Sequence, residues 1–181
     1  MIIKKNINNQ EHYIELTEFV KIKSYLTKQI TESNIFVVDK NLNKNFIVKK
    51  IYKNSPKRCF FIKGNEKIKT LKEFSLLIEK ILKIGVQRNS KLISIGGGTI
   101  GDLTGYLASS LLRGIDHIII PTSLLAMVDS SIGGKTGLNS TYGKNLIGSF
   151  YLPKKVLICN DFLASLPQRE LNCGFAEIIK Y

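Results

Sequence analysis

Two residues near the end of the chain, Glu177 and Lys180, stand three apart in Gly174-Phe175-Ala176-Glu177-Ile178-Ile179-Lys180-Tyr181. On a helix that spacing puts both on one face. A carboxylate there can ligate a metal and an ammonium can hold an anionic substrate; a surface ion pair is the plainer reading. Upstream, Gly96-Gly97-Gly98-Thr99-Ile100-Gly101-Asp102 contains a GxGxxG spacing from Gly96 through Gly98 to Gly101. Such glycines let backbone approach a pyrophosphate, and a helix starting there offers free N–H groups and positive potential. The alternative is a tight strand-to-helix turn capped by Asp102. The turn also departs from a standard dinucleotide opening: two strands precede it, and the next strand ends in Pro121 rather than an acid.

Ser131-Ile132-Gly133-Gly134-Lys135-Thr136 invites comparison with an NTPase phosphate loop, but Asp129 occupies the place of that motif's first glycine. What remains is Lys135 within six residues of Asp129, with Gly143-Lys144-Asn145 close behind. Two lysines, an amide and a carboxylate suit a polyhydroxylated anion, ammonium for phosphate or carboxylate and Asp or Asn for hydroxyls. Ordinary lysines on glycine-rich surface loops are the competing reading. His12 and His117 are the only histidines and form no HxxH or HxxxH pair, so no convincing zinc trio appears. His117 reads as a strand-start residue and His12 as terminal and solvated.

These groups need elements to hold them. Short apolar runs at Ile35–Val38, Cys59–Ile62, Leu92–Ile95, Ile118–Ile120 and Val156–Ile158 read as strands. Helices are expected over Lys69–Ile84, Thr99–Leu112 and Arg169–Tyr181, the last opened by Pro167. The first of these shows Leu71, Phe74, Ile78 and Ile81 on one face. Residues 41–56 are polar and lysine-rich, a loop or a short helix. Alternating strands and helices give an α/β class with a largely parallel sheet.

The chain has 181 residues, 44% hydrophobic and 23% charged, as expected of a folded soluble protein. The net charge of +13 is uneven: residues 1–90 carry +11 and residues 91–181 carry +2. The excess is lysine, with four arginines, whereas arginine is favoured for bidentate phosphate and base recognition. A solvated lysine-rich face is expected, and no nucleic acid. No signal peptide opens the chain, and the longest nearly apolar run, Ile118–Val128, is too short to span a bilayer. Three scattered cysteines point to reduced thiols and a cytoplasmic protein with no membrane partner.

Gly96 to Arg113 (GGGTIGDLTGYLASSLLR), Pro121 to Asn145 (PTSLLAMVDSSIGGKTGLNSTYGKN) and Leu166 to Tyr181 (LPQRELNCGFAEIIKY) together resemble the 3-dehydroquinate synthase family in order and spacing. The resemblance implies a Rossmann-like NAD-binding domain over 1–165. It also implies, at 166–181, the first helix of an α-helical metal-binding domain whose remainder, with two histidine ligands, is missing here. That family converts 3-deoxy-D-arabino-heptulosonate 7-phosphate to 3-dehydroquinate: bound NAD oxidises a ring hydroxyl, phosphate is eliminated, and the ketone is reduced again. Zinc or cobalt polarises the hydroxyl. By resemblance, Asp39 and Gly64, Asn65, Glu66, Lys67, Ile68 and Lys69 fall where the family contacts NAD. Gly98, Thr99, Ile100, Gly101 and Asp102 would hold the pyrophosphate, and Thr122 and Ser123 would line the cofactor. Lys135 and Lys144 would sit near cofactor and substrate. Phe162, Leu163, Ala164 and Ser165 would close over the NAD. Asp129, Asn145 and Lys180 would hold the sugar phosphate substrate's hydroxyls and carboxylate. Arg113 would reach its phosphate across a homodimer interface, and Glu177 would be the first metal ligand.

Two places depart from the family. Thr122-Ser123 stands where it usually has Thr-Thr, and Gly64-Asn65 where it often has Asp-Gly. Other sugar phosphate cyclases, which differ in the lysine loop, and a non-catalytic nucleotide-binding remnant are the alternatives. Iron-type alcohol dehydrogenases share the glycine turn but lack the Gly-Lys-Thr-Gly and Gly-Lys-Asn pair.

Overall fold

The five residues Ile35–Asp39 separate the layers of this molecule. Ile35 and Val37 pack with one set of helices, Phe36 and Val38 with another, because successive side chains of a strand point to opposite faces. In the computed structural model, which describes residues 1–7 and 10–180, that strand lies inside a seven-stranded sheet.

In chain order the elements are β1 (Ile2–Ile7), β2 (Gln10–Leu16), α1 (Phe19–Lys28), β3 (Ile35–Asp39), α2 (Phe46–Asn54), β4 (Cys59–Ile62), α3 (Leu71–Lys83), β5 (Lys91–Gly96), α4 (Gly98–Ser110), β6 (Asp116–Pro121), β7 (Lys135–Ser140), β8 (Gly143–Phe150), β9 (Lys155–Ile158) and α5 (Gln168–Lys180). The sheet order is β1-β2-β9-β6-β5-β3-β4, parallel except where β1 meets β2. From β3 the chain crosses through α2 to β4 on one side. It then returns through α3 to β5 on the other side of β3. Parallel crossovers are right-handed, so this reversal of direction puts α2 and α3 on opposite faces. Ile47, Val48 and Ile51 of α2 accordingly join α1's Ile22 and Leu26 in one core. Leu77 and Ile81 of α3 join α4's Leu103 and Leu107 in the other. The result is the expected α/β sandwich with helices on both faces of a mostly parallel sheet.

Several boundaries differ from the sequence expectation. Helix α3 begins at Leu71 rather than Lys69, because the Thr70 hydroxyl caps it by accepting from Glu73 N–H at 3.2 Å. Its buried residues are Leu77 and Ile81, whereas Leu71 is exposed. Residues 41–56 contain a true helix, α2, capped by the Asn45 side chain. Helix α4 stops at Ser110, since Leu112 and Arg113 take φ of 51° and 68° on the way to Gly114 at 121°. The end of the last expected helix, Tyr181, lies outside the described residues. The β1–β2 hairpin and α1 were not anticipated, nor was a second sheet: β7 and β8 pair antiparallel where glycine-rich loops were expected. Among the described residues no helix is long and apolar enough to cross a membrane.

Candidate functional site

Because connections leave β3 and β5 in opposite directions, a crevice opens at the carboxyl ends of these two strands. Asp39 closes β3, and its Oδ1 accepts from Asn41 N–H at 2.9 Å. Its other oxygen faces Gly64, where a Cβ would come within 2.3 Å of Oδ2. Gly64 in turn lies beside Ile100 of α4, so the acid, the turn after β4 and the start of α4 are neighbours. Helix α4 begins on Gly97 with no side-chain cap; Ile100 and Gly101 donate to the Gly97 carbonyl at 3.1 Å, which leaves the N–H groups of Gly98 and Thr99 to meet a ligand. Two of its glycines behave differently. A Cβ on Gly98 would approach Ser130 Oγ to 2.6 Å, so Gly98 serves the packing of α4 on the π-helical turn Ala126–Ser130. At Gly101 nothing lies within 4 Å of the added carbon, and this is the open side of the turn.

Lys69 sits at the centre of a polar network. Its side chain is 3% exposed, and its ammonium donates to Asp102 Oδ2 at 2.7 Å and to Asn145 Oδ1 at 2.5 Å. Burial pushes the Asp102 carboxyl up, against the opposing pull of the Lys69 charge. Beyond Lys69, Glu66 accepts from the Asn139 carboxamide at 2.8 Å, and Asn139 accepts from Asn145 N–H at 2.9 Å. The turn at 66–68, the N-terminal half of α4 and the β7–β8 hairpin are thus tied together.

Next to this network is an open cleft of about 490 Å³, lined by Asp102, Asp129, Lys135 and Asn145 with Leu146 and Phe150 among the apolar walls. Asp129 comes from the π-helical turn, Lys135 opens β7, and Asn145 lies in β8 at φ 57°. Carboxylates, one ammonium and one amide on a partly apolar wall are groups suited to a polyhydroxylated anion.

The remaining expected residues are more scattered. Ile68, Ile100 and Phe162 are core side chains, and Phe162 packs edge-on against Phe19 with ring centroids 5.7 Å apart. Their side chains are turned away from any ligand, and their N–H groups donate to the carbonyls of Asn65, Gly97 and Cys159 respectively. Leu163 also packs on the core, while Ala164 and Ser165 are exposed at the end of the 3-10 turn Asn160–Ser165 that follows β9. Asn65 caps the 66–68 turn by accepting from Lys67 N–H at 3.0 Å. Thr122 is buried and Ser123 half-buried just after β6, where the Ser123 hydroxyl accepts from Ala126 N–H at 3.4 Å. Thr99 stands in the first turn of α4. Lys144 is exposed and does not line the cleft. Arg113 follows the opposite end of α4, roughly 20 Å along the helix from the glycine turn.

Glu177 and Lys180 do share a helix face, with Lys180 Nζ 2.8 Å from Glu177 Oε1. Among the described residues no three His, Cys, Asp or Glu side chains gather as metal ligands. The donor set present therefore does not fit a zinc or cobalt ion. His117 is the second residue of β6, with Nε2 3.2 Å from Ser94 Oγ, and burial pulls its pKa down to about 3. His12 is not a solvated terminal residue: it is half-buried in β2 with Nδ1 2.9 Å from the Pro153 carbonyl oxygen.

Asn139 and Ser130 belong to this region without having been expected as site residues. Asn139 stands in a strand that was read as loop, and Ser130's relation to Gly98 is visible only in three dimensions.

Residues 59–173 match the family model described as 3-dehydroquinate synthase N-terminal. The chain is 44% identical to the 3-dehydroquinate synthase of Pelagibacter ubique (strain HTCC1062), over 99% of this chain and 50% of that one. A crystal structure of 2-deoxy-scyllo-inosose synthase complexed with carbaglucose-6-phosphate, NAD+ and Co2+ superposes with a TM-score of 0.82 at 27% identity, covering 99% of this chain and 50% of that one. A 2-epi-5-epi-valiolone synthase from Streptomyces hygroscopicus subsp. jinggangensis 5008, with NAD+ and Zn2+ bound, gives a TM-score of 0.81 at 25% identity, covering 97% and 50%. The chain spans about half the length of the curated relatives it matches.

Proposed function

The chain belongs to the 3-dehydroquinate synthase family, and from that premise we propose that it is the nucleotide-binding half of a dehydroquinate-forming lyase. The whole enzyme, in this reading, converts 3-deoxy-D-arabino-heptulosonate 7-phosphate to 3-dehydroquinate with loss of phosphate. This half contributes the NAD site and one wall of the substrate cleft. The observation that carries the reading is the uncapped start of α4 at the β3–β5 crevice, with Asp39 beside it and the cleft of Asp129, Lys135 and Asn145 adjoining.

NAD, when held in this crevice, would supply reversible hydride-transfer chemistry. The chain's own groups bind and orient. The turn Gly98–Asp102 meets the pyrophosphate through the N–H groups of Gly98 and Thr99 at the start of α4, helped by the helix dipole. Asp39 accepts from ribose hydroxyls, and the segment Gly64–Lys69 flanks the nucleotide. Thr122, Ser123, Lys144 and the backbone of Phe162–Ser165 complete its surroundings. Asp129 and Asn145 hold substrate hydroxyls, and Lys135 and Lys180 its anionic groups. Arg113, distant within one chain, serves a phosphate only if a second copy brings it to the cleft. Glu177 as a metal ligand belongs to the same reading, but among the described residues no further donors gather beside it to hold a metal.

Calorimetric titration of the chain with NAD+ tests the proposal. Binding should appear and should weaken about tenfold in Gly101→Ala, where a methyl group enters the open side of the phosphate turn. Absent binding, or binding indifferent to that methyl, contradicts it.

A further inference from the structure

We propose that Asn139 is a positioning residue of the cleft, holding the 66–69 segment and the hairpin's Asn145 in a single arrangement. The inference rests on reading the crevice as an NAD site. Three hydrogen-bonding groups of Asn139 are engaged, two with the 66–69 segment and one with the hairpin's Asn145. Its N–H donates to the Lys69 carbonyl at 2.7 Å, its Nδ2 donates to Glu66 Oε1 at 2.8 Å, and its Oδ1 accepts from Asn145 N–H at 2.9 Å. A carboxylate only accepts and a backbone N–H only donates, so these partners fix which way the amide points. Asn139 stands at the register irregularity between Leu138 and Ser140, where β7 also bridges to Thr70.

The consequence reaches the cleft. Asn145 is held at φ 57° with its own amide oxygen on the Lys69 ammonium, and Lys69 holds Asp102. Asn139 itself does not line the cleft, so it acts through Glu66, Lys69 and Asn145. At this length an amide offers a donor and an acceptor on one carbon. Leucine keeps the size and loses both. Aspartate keeps the acceptor for Asn145 but sets a second carboxylate against Glu66, and two close carboxylates bind a shared proton as pH falls.

The test is NAD+ affinity of the whole chain, measured by calorimetry against pH, for the wild type, Asn139→Asp and Asn139→Leu. Circular dichroism confirms that each variant is folded. Relative to wild type at the same pH, Asn139→Asp should bind about tenfold more weakly at about pH 8 and recover most of that loss by about pH 5. Asn139→Leu should be weak at both. A purely structural role would give losses of equal size for the two variants, with no recovery in acid. Affinities equal to wild type, or weakened without that pH reversal, overturn the inference while leaving the NAD site intact. Failure of the wild type to bind NAD+ removes the site reading and this inference with it. Should Asn139→Asp not fold, hydrogen exchange in Asn139→Leu decides: faster exchange confined to residues 140–146 supports the role, and unchanged exchange there refutes it.

Discussion

The Lys69 ammonium lies 2.7 Å from the Asp102 carboxylate, with the lysine side chain almost wholly enclosed. This contact joins the turn after β4 to the N-terminal half of α4, and with Asn145 it joins both to the hairpin. Removing this enclosed ammonium leaves the Asp102 carboxylate, 21% exposed, without its counter-charge.

Lys69→Met should therefore destabilise the fold by about 3 kcal/mol in urea unfolding at neutral pH. Burial already raises the Asp102 carboxyl, and loss of the lysine raises it further. The folded variant then binds a proton more readily than the unfolded chain, so its deficit should shrink as pH falls into the carboxylate range. A loss that is small at neutral pH, or that grows in acid, would contradict the pairing.

His117 gives the opposite sign. Its folded pKa of about 3 lies below the ordinary value of 6.5 because burial disfavours the charged ring. Its contribution is complete above about pH 6.5 and is lost as pH falls toward 3. In that window the wild type should lose up to about 1.4 kcal/mol per pH unit more than His117→Gln. Parallel stability curves for the two proteins would show that His117 does not titrate this way.

Two glycines of α4 should respond oppositely to alanine. At Gly101 the methyl group meets nothing within 4 Å, so the gain in helix propensity, up to about 1 kcal/mol, should raise the melting temperature. At Gly105 a Cβ would come 2.4 Å from Thr136 Cγ2, and forcing the hairpin off α4 should cost about 1–3 kcal/mol. Thermal melts of the two variants read the contrast directly, and the same sign at both positions would be inconsistent with this packing.

Chelation should leave this chain unchanged. Glu177 is half-buried beside Lys180, and no three ligating side chains gather among the described residues. NAD+ affinity and melting temperature with and without a strong chelator should coincide. A chelator-sensitive melt would reveal a ligand set the described residues do not provide.

The strand–glycine–helix passage from Leu92 through α4 was legible because both readings of its glycines, a phosphate site or a tight turn, require the same strand before them and helix after them. The hairpin was not. Gly137 and Gly148 face each other across β7 and β8, where a Cβ on one would come 2.6 Å from the Ile147 carbonyl oxygen and on the other 2.2 Å from that of Thr136. Their glycines serve close strand contact, yet in sequence they look like loop. Lys69 was expected among the cofactor contacts, and its burial against Asp102 and Asn145 depends on partners 33 and 76 residues away. Asp129, Lys135 and Asn145 were grouped from spacing and do line one cleft. Arg113 was expected from the resemblance to act from a second copy, and within one chain the direction of α4 does carry it away from the cleft.

The most direct measurement is a titration of the isotopically labelled chain with NAD+, followed residue by residue through amide chemical shifts. The account predicts saturable shifts at Gly98–Asp102 and Glu66–Lys69, with the β1–β2 edge unmoved. Shifts absent throughout, or confined to the β1–β2 edge and the outer face of α1, would contradict an NAD site at the β3–β5 crevice.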